Sequence, residues 1–89
     1  MTVYVDNMRA AYGRMVMCHM IADTEAELHA MADRIGVARR WYQGDHYDIC
    51  LAKRALAVQA GAVELSQMDL GRIVISRRRA GRTHREYPA

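Results

Sequence analysis

MVMCHMIADTEAELHAMADRIG, residues 15–36, contains a change of hydrophobic rhythm around which the rest of the chain can be arranged. From Met15 to Ala22 the side chains are apolar except at His19, a run with the length of a buried strand. From Thr24 the period lengthens. Thr24 and Glu27 have the spacing of a capping box, in which hydroxyl and carboxylate satisfy free N–H groups at a helix start. Leu28, Met31, Ala32 and Ile35 then recur at helical spacing, and Gly36 supplies a stop. The pattern predicts a buried strand or extended segment (periodicity alone also admits a helical turn), followed by an amphipathic helix over 25–35.

Upstream, residues 2–6 are β-branched and aromatic and end in an acid, which reads as a short strand running into an irregular loop over 7–14. Downstream, residues 37–43 read as a second strand, closed by a turn at Gly44-Asp45. Asp48 then has the place of an N-cap for a helix over about 49–60. That stretch is apolar nearly all round, which predicts a buried helix. Gly61 ends it, and residues 62–65 read as a third strand. Ser66 with Asp69 suggests a short helix closed by Gly71, and residues 73–75 a last strand or extended arm.

Strands alternating with helices through short connections point to βαβ units. The expectation is one small α/β domain over 1–76, with a short, mostly parallel sheet of three or four strands and two main helices. Residues 77–89 are expected to form a basic, disordered C-terminal extension. They hold five arginines against one glutamate, so they carry more than the chain's whole net charge of +3 and leave the body at −1. A basic pI of about 9.2 is thus a property of the extension, and the folded face needs its own case for a polyanionic partner.

With 89 residues there is room for one domain. Phe is absent and there are 7 Met, so Met, Leu, Ile and Val fill the core. Two cysteines, Cys18 and Cys50, allow one disulfide at most, too few for a small secreted scaffold. No apolar run approaches the roughly 18 residues of a membrane span, and no secretory leader pattern opens the chain. A reduced, cytoplasmic protein with no membrane partner is expected.

In parallel α/β sheets, ligands bind beyond the carboxyl ends of the strands. That rule would gather Asp6, His19, Asp23, His46 and Asp48 on one rim, as candidate catalytic residues. Carboxylates and imidazoles in such a cluster suit a divalent metal or acid–base work on a phosphate ester. The plainer reading makes Asp6, Asp48 and Asp69 turn and cap residues. A shared Cys18, His19, His46, Cys50 zinc site is disfavoured, since adjacent residues of a strand point to opposite faces. Arg39 and Arg40 beside Trp41 and Tyr42 form a basic-aromatic patch, and Arg77, Arg78 and Arg79 a basic run. Both are candidate nucleic-acid contacts.

Several stretches together (Val3-Tyr4-Val5-Asp6, His19-Met20-Ile21-Ala22-Asp23, Glu27-Leu28-His29, His46-Tyr47-Asp48, Gly61-Ala62-Val63) resemble a family of small bacterial and phage proteins catalogued as domain of unknown function 4031. The likeness covers about residues 1–75 and implies no activity. A fainter likeness to PIN-like nucleases rests on the acid ending the first strand and on Gly61 to Ser66 with Asp69 nearby. The chain is shorter than such domains, and its Ser66–Asp69 spacing differs from their closing motif. Nucleic-acid binding or processing through a metal-supported Asp/His site is the leading expectation. The alternative is a non-enzymatic interaction protein, a phage-encoded modulator or inhibitor of a host complex, or a homo-oligomer.

Overall fold

A computed structural model describes residues 2–81. Five strands and three helices alternate along it: β1 (Val3–Val5), β2 (Ala10–Tyr12), β3 (Met15–Ala22), α1 (Glu25–Ile35), β4 (Tyr47–Cys50), α2 (Leu51–Gln59), β5 (Val63–Glu64) and α3 (Gln67–Arg79). The class is mixed α/β, as expected, but the sheet is mainly antiparallel. Strand β3 pairs antiparallel with β1, β2 and β4, and only β1 with β5 is parallel. The cause lies in residues expected to be loop. Gly13-Arg14 is a two-residue turn whose Gly13 has φ 59°, the positive angle that a tight hairpin requires. It folds β3 back along β2, and since β1 and β2 lie along one edge of β3, β3 runs antiparallel to both.

Two further expectations are corrected. Residues 37–43 are not a strand. Gly36 takes φ 80° as the cap of α1, and the Val37 N–H bonds to the Ala32 carbonyl at 2.8 Å, so Val37 packs back on the helix. A 3-10 turn, Arg39–Trp41, follows, with a single bridge from Tyr42 to Tyr47. The strand comes later, in β4, where Asp48 is a strand residue and not a cap. Helix α2 starts at Leu51 with no side-chain cap and buries only Ala57, so it is a surface helix rather than an enclosed one. Its apolar look came from alanines, which cost little to expose.

Helix α3 runs on through Gly71. Ser66 caps it as read, its hydroxyl accepting from the Asp69 N–H at 3.1 Å. Leu70 and Val74, one turn apart, pack on Ile21 and outweigh the glycine. The helix takes in residues 73–75 and continues to Arg79 at the start of the basic run. Residues 82–89 of the expected extension lie outside the described residues.

The sheet divides two cores. Val5, Cys18, Met20, Tyr47 and Ile49 face α1 and α2 with Leu28 and Ala32, while Ile21 faces α3. Alternation along β3 therefore sends His19 to the α3 side, together with Asp48, which stands directly opposite it on β4. No helix among the described residues is long and apolar enough to cross a membrane.

Candidate metal centre

The site begins with an interruption in the ladder. Strands β1 and β2 pair with the same edge of β3, through Val5 with Met20 and Ala10 with Met17. Between them, Asp6 to Arg9 face only Cys18 and His19, so residues are in surplus and the chain bulges. Asp6 closes the gap. Its N–H donates to the His19 carbonyl at 3.1 Å, and its Oδ1 accepts from the His19 N–H at 2.9 Å. Oδ2 lies 2.7 Å from His19 Nδ1, and the Asp6 carboxylate is fully buried. Burial alone would raise the Asp6 carboxyl. The bonds from the His19 ring and backbone outweigh it and hold the group below the usual range. Reciprocally, Asp6 pushes His19 up against the opposing effect of desolvation.

A second carboxylate–imidazole pair stands beside the first. Asp45, 6% exposed, has Oδ1 2.7 Å from His46 Nδ1. It also receives the Arg78 fork, Nε to Oδ2 at 2.6 Å and a terminal N–H to Oδ1 at 3.1 Å. Burial pushes the Asp45 carboxyl up, but the Arg78 and His46 bonds leave it lowered overall. The His19 and His46 rings meet edge to face, centroids 5.1 Å apart.

With each Nδ1 engaged by a carboxylate, each Nε2 is the ring nitrogen that could serve as a ligand, that of His46 already facing Asp48. Among the described residues, one ligand atom each from His19, His46 and Asp48 lie within 4.8 Å of one another. His46 Nε2 and Asp48 Oδ1 are 3.4 Å apart, the roughly 3.4 Å expected of two ligands about 2.1 Å from a tetrahedral ion. The residues present therefore fit a divalent metal. A cleft of about 230 Å³ opens beside the two histidines, walled by Leu70, Gly71 and Val74 of α3 and bordered by Gln67 and Arg78.

Of the residues singled out in the sequence, Asp6, His19, His46 and Asp48 come together, on a sheet face and not on a strand-end rim. Asp23 does not. It lies past the end of β3, roughly 13 Å along the strand from His19, and its carboxylate accepts from Thr2 N–H and Tyr4 OH at 3.0 Å each. Cys18 is sealed on the opposite face, its thiol pushed up to about 11 by burial. Arg78 braces Asp45, and Arg77 donates to the Ala22 carbonyl at 2.9 Å, so neither is a free phosphate arm. Arg79, Arg39 and Arg40 are exposed. In the sequence Asp45 reads as a turn residue. The signal that could have found it is the acid flanking His46 on each side, in Gly44-Asp45-His46-Tyr47-Asp48.

Fold and site together define a small mixed α/β domain with a His-His-Asp ligand cluster, each imidazole held by a buried carboxylate. Residues 3–78 match the model of the family described as protein of unknown function (DUF4031), and the chain belongs to that family. No curated protein and no solved structure matches it.

Proposed function

We propose that this chain is a small metal-dependent hydrolase of phosphodiesters in nucleic acid, its ion held by His19, His46 and Asp48. One observation carries the reading: three suitable ligand atoms within 4.8 Å of one another, one on Asp48 and one on each of two imidazoles that are fixed at 2.7 Å by a buried carboxylate. Two His and one carboxylate suit zinc, manganese or iron, with positions left for water and substrate. Such an ion supplies Lewis acidity and a bound water of lowered pKa. The chain's own residues do the rest. Asp6 and Asp45 orient the rings, Arg78 balances the Asp45 charge, and the apolar wall of α3 limits water in the cleft. Support for a polyanionic substrate comes from exposed Arg39, Arg40 and Arg79 and from Arg82 and Arg85 further along the chain, which would add salt-dependent affinity.

The test loads purified protein with Co²⁺ and reads its visible absorption, then assays cleavage of labelled single- and double-stranded oligonucleotides with Mn²⁺ or Zn²⁺. Wild type should bind the ion and cut, whereas His46→Ala and Asp48→Ala should lose both. Absence of a Co²⁺ spectrum in the folded wild type rejects the proposal. The competing reading, an interaction protein or homo-oligomer, draws on Met68 and Ile75, 66% and 50% exposed on α3. Recovery of a stoichiometric protein partner that Asp48→Ala still binds, with no metal bound by wild type, would favour it.

A further inference from the structure

A second cleft, about 210 Å³, runs along the outer edge of β4, and nothing in the ligand cluster accounts for it. Its walls include Met15, Met17, Arg40, Trp41, Asp48 and Lys53. Asp48 thus belongs both to the ligand cluster and to the lining of this groove. At the other side Trp41 is half-buried, meets the exposed ring of Tyr12 edge to face at 5.9 Å, and has the Arg40 guanidinium carbon 5.9 Å from its centroid. Aromatic rings beside guanidinium and ammonium groups, with two thioethers in the same lining, favour a flat π-face joined to an anion. The volume is below the roughly 300 Å³ at which drug-sized sites begin, so it suits one base and not a larger group.

We propose that this groove seats one nucleotide of a single strand, the base against Trp41 and its phosphate between Arg40 and Lys53. Among the described lining residues Asp48 is the one carboxylate, and its charge places the phosphate at the Arg40–Lys53 side. Neither Arg40 nor Lys53 forms an ion pair with a described carboxylate, so neither charge is neutralised by one, and the Arg40 guanidinium over one face of Trp41 leaves the base the other face or the ring edge. A duplex cannot present a base this way. The substrate class is therefore single-stranded, which deepens the hydrolase reading and rests on it for the reaction alone.

Trp41 is the chain's single tryptophan, so its emission reports the groove directly. Metal-free protein in chelator at low salt is titrated with a short oligothymidylate and its ribonucleotide counterpart. Saturable quenching is expected with one or both, which also tells whether DNA or RNA is preferred. Arg40→Glu should weaken it roughly tenfold or more, as loss of a phosphate contact beside a stacked base would. His46→Ala should leave the quenching intact while removing Co²⁺ binding, so the groove and the metal reading fail separately. Lys53→Gln, checked for folding by circular dichroism, repeats the Arg40 test at an independent position. Oligonucleotide binding seen by anisotropy without a change in Trp41 emission overturns the proposal. Quenching that is indifferent to both substitutions does the same.

Discussion

Asp6 joins a structural duty to a chemical one. Its Oδ1 replaces a ladder carbonyl for the His19 N–H, and its Oδ2 holds the His19 ring. Asp6→Asn keeps an acceptor for the backbone but loses the charge behind the imidazole. Co²⁺ affinity should fall about 10–100-fold with the fold retained. Asp6→Ala removes the acceptor of the His19 N–H and the partner of its ring, which should cost about 1–3 kcal/mol in a urea titration. Similar stability for the two variants would mean that the bulge does not depend on the carboxylate. The same pair gives the metal-free chain a pH signature. His19, raised from 6.5, contributes fully below that value and loses its contribution as pH rises through the higher folded value. Asp6, lowered from 3.8, contributes above that value and loses its contribution as pH falls through the lower folded one. Thermal melts in chelator should therefore be highest between about 4 and 6.5 and decline on both sides. His19→Gln should flatten the upper decline, and an unchanged slope there would assign it to another group.

At the level of elements, α3 is the most instructive. Gly71 lies inside it and lines the cleft beside the histidines, and a Cβ added there meets no heavy atom within 4 Å. Gly71→Ala should stabilise the protein by about 1 kcal/mol, the difference between the two residues in a helix interior, read as a higher urea midpoint. Loss of stability would show that α3 packs more closely on the sheet than its open wall indicates. The helix also explains why local reading stopped at residue 71. A glycine five residues past a cap looks like an end, and only the contact of Leu70 and Val74 with Ile21 carries the helix onward. Helix α1 was legible because both halves of its cap lie within four residues: Thr24 Oγ1 donates to Glu27 Oε1 at 2.9 Å and accepts the Glu27 N–H at 3.2 Å. Strand β2 was not, since Ala10, Ala11 and Tyr12 are all exposed and have no alternation to display.

Across the whole molecule, the two faces of the sheet are unequally sealed. The α1–α2 side holds most of the buried side chains, whereas α3 is seated through its own Leu70 and Val74 on Ile21. Native-state hydrogen exchange should show α3 amides exchanging well before those of β3, and added Zn²⁺ should slow α3 because Arg78 links it through Asp45 to His46. Uniform protection of α3 and β3 would contradict that picture. The inequality is what leaves a cleft beside the histidines. Read alone, the chain discloses whatever neighbouring residues settle among themselves: the capped helices, the apolar β3, the charge gathered after Ser76, the kinship to its family. It also discloses which acids and imidazoles are available. Which strands share an edge, and which carboxylate meets His19, are settled between residues far apart in the chain. The Gly13-Arg14 turn reverses β2, the bulge turns Asp6 under His19, and pairing of β4 sets Asp48 opposite. Side-chain parity on a sheet follows from register, and register exists only once the strands have found each other.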